Sequence, residues 1–303
     1  MTKRSPSASP ALSVRDFFAR FPNEEACLEH IMAVRFGGTT MDCPACGATG
    51  TFYKLRERRV YACPQKECRH QIAPTANTIL HDTRTPLVSW FYVMYLFCTT
   101  RHGVSGKELQ RQLGVTYKTA YRMGMQIRKL TGKAGWFDEM LSGHIEADEA
   151  YVGGRTTGGK RGRGAPNKTI VMGLVERGGN TVATVIPNVK KDTLRSVVLD
   201  NVAPGTIVST DELMSYGLLT GDGYRHGTVS HGKKEWSYYD PAHKAQHHTN
   251  SVEGFWRLFK ASVRSTHVAI SPKHLQRYLD EFTFRANHRE RVNGMFDLLV
   301  GAL

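Results

Sequence analysis

No apolar run in this chain is long enough to cross a membrane. The longest, Leu87 to Cys98, falls short of the ~20 residues a spanning helix needs. The first ten residues, Met1 to Pro10, are rich in Ser and Pro and lack the apolar centre of a secretory signal. We therefore expect a loose tail over 1–11 and a cytoplasmic protein. Acidic residues are few: 27 Asp and Glu stand against 41 Lys and Arg, for a net charge of +14. Such an excess points to a polyanionic partner, either nucleic acid or an anionic membrane surface. With no spanning segment, nucleic acid is the better reading. Cysteine is also sparse, at positions 27, 43, 46, 63, 68 and 98. Disulfides are disfavoured in an unexported chain, and four of these six cysteines are grouped, which points to metal. A GxxxxGK[ST] loop is missing, so the Gly-rich basic run from Gly153 to Lys168 is not read as a nucleotide cradle.

What is present is enough for a core: 40% hydrophobic against 22% charged residues, a balance that excludes global disorder. Residues 12–36 read as two helices. Val14, Phe17, Phe18 and Phe21 form an apolar stripe, and Asn23-Glu24-Glu25 starts the second helix. Cys27 on that helix reads as a small buried hydrophobe.

Cys43-Pro44-Ala45-Cys46 and Cys63-Pro64-Gln65-Lys66-Glu67-Cys68 are two close pairs with zinc-ribbon spacing. Four thiolates on two knuckles satisfy a tetrahedral, structural Zn2+, and the metal replaces a core too small to stand alone. His70 is an alternative to Cys68 as fourth ligand. The basic residues Lys54, Arg56, Arg58 and Arg59 within the ribbon suit DNA phosphates. Residues 12–82 are thus expected to hold N-terminal helices and a zinc ribbon.

An apolar helix over 86–98 follows. Ser105 and Glu108 are spaced as a capping box, the helix they open ends at Gly114, and a third helix runs from 115 to Lys129. Helix, short Gly-containing turn, helix is the helix-turn-helix outline. It places Thr116, Tyr117, Lys118 and Tyr121 where base edges are read. Residues 83–131 are expected to be this DNA-binding region, and 132–143 a linker.

From 144 onward the pattern turns to strands. His144 to Val152, Thr169 to Glu176 and Thr181 to Ile186 read as strands, the last two joined by the turn Arg177-Gly178-Gly179-Asn180. Asp192 to Val202 reads as a helix, Thr206 to Asp211 as a buried strand ending in a carboxylate, and Tyr224 to Val229 as another strand. A meander, then a helical crossover to a parallel strand, puts the fourth strand beside the first, so Asp148 and Asp211 become neighbours. Glu146 shares the Asp148 face by period two and Glu149 points the other way; both are read as an exposed flank, and Glu212 as solvated. On the helix from 250 to 264, Val252, Phe255, Trp256, Phe259 and Val263 form an apolar face. Asn250, Glu253, Arg257, Lys260 and Arg264 lie opposite. Packed through its apolar face, this helix lays Glu253 against the two aspartates. Three carboxylates suit hard ions such as Mg2+ or Mn2+, and two such ions support phosphodiester chemistry. Arg257, Lys260 and Arg264 are then available for DNA phosphates. His247 and His248 read as phosphate contacts or helix caps rather than zinc ligands or proton carriers. A last helix spans 274–288.

The combination of Cys43-Pro44-Ala45-Cys46-Gly47, Glu146 to Gly154, Ser209-Thr210-Asp211, His248 to Trp256 and Asn287-His288-Arg289 resembles bacterial insertion-sequence DDE transposases with an N-terminal zinc ribbon. The resemblance covers nearly everything from about residue 20 onward. It implies a multidomain chain in which 144–303 is an α/β catalytic domain of ribonuclease-H-like fold. It also implies hydrolytic nicking at element ends, then attack of the 3′-hydroxyl on target DNA. Expected partners are terminal inverted repeats, target DNA and further copies of the chain on DNA, in the bacterial cytoplasm at the nucleoid. Carried onto matching positions, Asp148 and Asp211 are the first two acids and Lys260 the basic residue seven after Glu253. Glu253 is the expected third acid, and Asn250, one turn away, the alternative. The competing reading is a catalytically silent DNA-binding protein, a domesticated transposase or a repressor. A nuclease of the same fold fits the N-terminal domains poorly.

Overall fold

The computed structural model of the protein describes residues 12–135, 139–153, 168–290 and 292–303. The expected tail over 1–11 and nearly all of the basic glycine-rich loop lie outside the described residues. The chain forms two compact units. One holds the described residues up to Ala134 together with His288–Leu303, and the other spans Gly135–Asn287.

The first unit opens with α1 (Val14–Arg20) and α2 (Glu24–Phe36). Asn23 caps α2, its side-chain oxygen accepting from Ala26 N at 2.9 Å. Cys27 is buried, and burial pushes its thiol up to about 12. A two-stranded sheet, β1 (Thr40–Asp42) with β2 (Thr49–Thr51), and a three-stranded sheet of β3 (Tyr53–Lys54), β4 (Tyr61–Ala62) and β5 (Gln71–Ile72) follow. Next comes α3 (Leu87–Thr99), whose Leu87, Trp90, Phe91 and Met94 are fully buried. α4 (Gly106–Leu113) is capped by Ser105, which accepts from Glu108 N, and closes at Gly114 with φ 63°. A left-handed residue of this kind favours glycine. α5 (Tyr117–Ala134) runs past the expected end at Lys129. The anticipated linker therefore begins as helix: Leu130 and Thr131 are buried, and Gly132 is carried inside the helix. A final helix at Val292–Gly301 returns to this unit, where Phe296 meets Phe21 and Phe91 at ring separations of 5.4 and 5.7 Å. Sequence order placed 288–303 with the second unit; the aromatic cluster on α1 and α3 holds them in the first.

The second unit is an α/β sandwich. β6 (His144–Val152), β7 (Thr169–Glu176) and β8 (Thr181–Ile186) form an antiparallel meander with the boundaries the alternation predicts. α6 (Lys191–Asn201) crosses over to β9 (Ile207–Thr210), and β10 (Arg225–Thr228) follows. The strand order is β10-β9-β6-β7-β8, with β9 parallel to β6 and β10 parallel to β9. The fourth strand does lie beside the first. A hairpin of β11 (Tyr238–Asp240) and β12 (Ala245–His247), not foreseen from the sequence, leads into α7 (Asn250–Ser262), and α8 (Leu275–Asn287) follows. Residues from Leu141 on are already part of this unit, since Leu141 is buried and bridges to Val202.

Period two sorts the sheet into two cores. Ile145, Ala147, Met172 and Leu174 pack with Leu194 and Val198 of α6 on one face. Ala150, Val152, Val171 and Ala183 pack with Val252, Phe255, Trp256 and Phe259 of α7 and with α8 on the other. α8 also covers the sheet edge. Gln276 Oε1 accepts from Val185 N and Asn287 Oδ1 from Thr181 N, each at 2.8 Å, so edge strand β8 has less backbone left open to a stray strand. Among the described residues no helix is long and apolar enough to cross a membrane.

Candidate active site and metal centres

The ribbon cysteines converge. Cys43 Sγ lies 3.6 Å from Cys68 Sγ, Cys46 Sγ 3.9 Å from Cys63 Sγ, and all four sulfurs lie within 4.8 Å of one another. Sulfurs 2.3 Å from a tetrahedral ion are about 3.8 Å apart, so this donor set fits zinc. Against the effect of burial, backbone hydrogen bonds from Ala45 and Cys46 pull the Cys43 thiol down to about 6, while, against a hydrogen bond from the His70 backbone, burial and the neighbouring thiols push Cys68 up to about 12; four thiols this close cannot all ionise without a cation among them. Cys68, not His70, completes the group. The basic run around it is divided. Lys54 Nζ is 2.7 Å from Glu25, and Arg59 is paired with Glu24 and donates to Thr83 O at 2.8 Å. Arg56 and Arg58 are exposed. At the start of α5, Thr116, Tyr117 and Lys118 are exposed and Tyr121 is half-buried. Lys107 Nζ sits 4.8 Å from the Tyr117 ring centroid.

In the second unit Asp148 is half-buried on β6, on the face covered by α7. Its backbone partner across β7 is Gly173. A Cβ on Gly173 would come within 2.7 Å of the Trp256 ring, so the missing side chain is what lets α7 lie this close to the sheet. Asp211 directly follows β9, where its Oδ1 accepts from Leu213 N at 3.0 Å. Burial raises the Asp148 carboxyl to about 7, aided by the charges of Glu149, Asp211 and Glu253 and opposed by a hydrogen bond from the Glu149 backbone. Lys260, on the same side of α7, is held below the usual lysine range by burial, while Asp148 acts to raise it. Glu149 faces the other core and accepts a hydrogen bond from Tyr216 Oη. The Tyr216 phenol is pushed well up by burial and then by Glu149, so the proton stays on the tyrosine.

Glu253 is exposed and drawn to one side. Its Oε1 accepts from Thr249 Oγ1 at 2.8 Å and lies 3.3 Å from His231 Nε2. Among the described residues, the oxygens of Asp148, Asp211 and Glu253 do not reach the mutual 4.8 Å spacing of the cysteine group. Asn250 is the first residue of α7 and exposed, as are Arg257 and Arg264.

Glu146 was expected on an exposed flank and is instead completely buried. Its Oε2 accepts from Ser251 N at 2.6 Å and Val252 N at 3.1 Å, and its Oε1 from Ser251 Oγ at 3.0 Å and Arg177 Nε at 2.7 Å. The first amide groups of a helix have no partner within it, and that end is electropositive. Thr249 makes no side-chain cap, so a carboxylate from β6 caps α7 instead. Arg177 also donates to Gln246 O at 2.6 Å and His248 O at 3.1 Å, which fastens the lead-in to the helix. The shared face of Glu146 and Asp148 was the signal for this role: a carboxylate under a packed helix needs donors.

Residues 140–287 match the family described as ISXO2-like transposase domain, and residues 22–71 match the transposase zinc-ribbon domain. An uncharacterized transposase-like protein of Haemophilus influenzae is 30% identical over 124 residues, 39% of this chain and 93% of that protein. A solved intasome of simian T-cell lymphotropic virus, in complex with the PP2A regulatory subunit B56 gamma, contains a chain that aligns at 12% identity. The alignment covers 64% of this chain and 65% of that one, with a TM-score of 0.30, too low to bear on the fold.

Proposed function

The chain belongs to the insertion-sequence transposases, with a transposase zinc ribbon ahead of an ISXO2-like transposase domain, and we propose that it is an active DDE enzyme. In this reading it cleaves DNA at its element's terminal inverted repeats and joins the freed 3′-hydroxyl to target DNA. The observation that carries the proposal is the placement of Asp148 on β6, of Asp211 just after the parallel neighbour β9 and of Glu253 on the helix packed over the Asp148 face, near enough that burial first, then the charges of Glu149, Asp211 and Glu253, raise the Asp148 carboxyl to about 7. Acids so arranged gain from a cation between them. Mg2+ or Mn2+, as two bound ions, would activate a water or 3′-hydroxyl and stabilise the leaving oxygen.

The chain's own residues have separate tasks. Asp148 and Asp211 would hold the ions, with Glu253 as third acid and Asn250 as its alternative. Glu253 reaches that role by releasing Thr249 and His231, a side-chain rotation on a fixed helix. Lys260, beside Asp148, meets the scissile phosphate, and Arg257 and Arg264 extend the cationic track. Glu146 is a positioning residue that fixes the turn of α7 on which Asn250 and Glu253 stand. The strand order supports a ribonuclease-H-like reading of the second unit. The paired helices α4 and α5 support a helix-turn-helix reading, with Thr116, Tyr117, Lys118 and Tyr121 toward bases. Arg56 and Arg58 of the ribbon then contact phosphates; Lys54 and Arg59 do so only by exchanging their carboxylate partners. Strand transfer at paired ends requires more than one copy of the chain on DNA.

The test is cleavage of DNA carrying the element's own ends, with Mg2+ or Mn2+, by wild type and by Asp211→Ala. Wild type cleaves; the variant binds the same DNA and leaves it intact. If neither protein cleaves while both bind, the silent DNA-binding reading takes over. If the variant cleaves like wild type, the acid assignment is wrong.

A further inference from the structure

The hairpin ahead of α7 carries a second constellation that neither the ribbon nor the acid site uses. Asp240 ends β11, His243 lies in the turn, and His247 ends β12. Asp240 Oδ2, His243 and His247 each present a ligand atom, and these atoms lie within 4.8 Å of one another. Asp240 Oδ2 is 2.8 Å from His243 Nδ1 and 3.9 Å from His247 Nε2. Both nitrogens are buried at the atom; His243 Nδ1 is ion-paired with the carboxylate, and His247 Nε2 has no hydrogen-bond partner. A fully buried imidazole left with an unpaired nitrogen beside a carboxylate oxygen is costly in a purely protein environment. Ligands about 2.0–2.1 Å from a tetrahedral ion stand about 3.3 Å apart, a value between the two observed separations.

The surroundings are built to hold these donors. Asp240 Oδ1 accepts from Ala242 N at 2.8 Å, which fixes the carboxylate and leaves Oδ2 toward the histidines. His247 is fully buried, with Nδ1 2.8 Å from Ser209 Oγ, and Ser209 Oγ is 2.7 Å from His144 Nε2. A serine hydroxyl has two acceptor sites, so it can take an N–H from both rings. In the tautomer whose Nδ1–H donates to Ser209, the His247 Nε2 lone pair faces Asp240, the usual outer-sphere support of a metal-binding histidine. Gly227 on β10 supplies the space: a Cβ there would lie 2.3 Å from the His247 ring. Ser209 is itself fully buried, so the Ser209–His247–Asp240 chain is closed to any substrate and is not a hydrolase triad.

We propose that Asp240, His243 and His247 bind a second zinc ion that locks the hairpin leading into α7. Two imidazoles and one carboxylate suit this borderline metal. His243 is partly exposed, which leaves the fourth position to water. The ion ties the β11–β12 turn to the strand that ends three residues before Asn250, and so fixes where α7 begins.

The experiment measures zinc per full-length chain by mass spectrometry after equilibration with excess zinc and gel filtration. Wild type should carry two zinc ions, and His243→Ala and Asp240→Asn one each. Cobalt replacement separates the sites. The ribbon ion shows thiolate charge-transfer absorption, which both variants should retain in full, while the thiolate-free cobalt spectrum should vanish from them. One zinc per wild-type chain overturns the proposal. So does a second zinc that survives in both variants, since that ion would then belong to the acid site.

Discussion

Replacing Asp148 by Asn should stabilise the metal-free protein at neutral pH and above. In the folded chain this carboxyl stands at about 7 instead of 3.8. At about 1.4 kcal/mol per pH unit, that difference corresponds to about 4 kcal/mol of folding free energy opposed by ionisation. The residue is half-buried and open to some water, so about 2 kcal/mol is the working expectation. The sign is definite. Below the unfolded value both states are protonated and nothing is lost. Between about 4 and 7 the unfolded chain releases the proton while the folded chain keeps it, so stability falls as pH rises. Above 7 the penalty is complete. Asp148→Asn has no such titration. Its melting temperature should exceed that of wild type by about 4–8 °C at pH 8, for a cooperative unit of this size, and the gap should close toward pH 4. Added Mg2+ should raise the wild-type value at pH 8 and leave the variant nearly unmoved. Thermal denaturation followed by circular dichroism, with and without chelator, reads all of this. A variant no more stable than wild type at pH 8, or a gap that ignores pH, would refute the picture of an acid cluster waiting for a cation.

Glu146→Ala leaves Arg177 and the first amides of α7 without their buried partner and should cost about 3–5 kcal/mol in urea denaturation, with Glu146→Gln milder. An unchanged midpoint would remove Glu146 from its positioning role. Gly173→Ala drives a methyl into Trp256 and should cost about 1–3 kcal/mol through overpacking; it should also depress cleavage more than DNA binding, read on the same substrate. Chelation of the ribbon zinc should open residues 40–72 to protease while the β6–β10 sheet stays protected, and a ribbon that resists protease without metal would contradict a structural zinc. Replacing both Arg56 and Arg58 by Ala should reduce the slope of log affinity against log salt by about 1.8, if each neutralises one phosphate; an unaltered slope places them off the DNA.

Much of this arrangement was legible in local pattern. The strands at 169–176 and 181–186 announce themselves as apolar runs on either side of the turn Arg177-Gly178-Gly179-Asn180, where Gly178 takes φ 75°. The apolar face of α7 follows from helical spacing, and the four ribbon cysteines from their gaps. What stayed hidden depends on distant partners. Lys54 and Arg59 look like free contacts for DNA phosphates until Glu24 and Glu25 of α2 come alongside. Gly132 looks like a helix end, yet a glycine costs only about 1 kcal/mol inside a helix, and α5 continues through it because Leu130 and Thr131 are buried. The strands β11 and β12 are three residues each and mostly polar, with too little alternation to detect. Asn287 stands out in the sequence only as part of the family resemblance, and its pairing with the backbone of β8 at Thr181 shows only in the fold.

Glu146 and Asp148 stand two positions apart on β6, so one strand sets the register of both. Inserting or deleting a single residue between Leu141 and Glu146 would turn the pair to the opposite face of the sheet together. The proposed catalytic acid and the anchor of the helix bearing its proposed partners are therefore placed by one strand. Grafting the proposed centre into another protein should fail with three acids alone. The portable piece is β6 with Gly173 across from it and the first turn of α7 seated on Glu146.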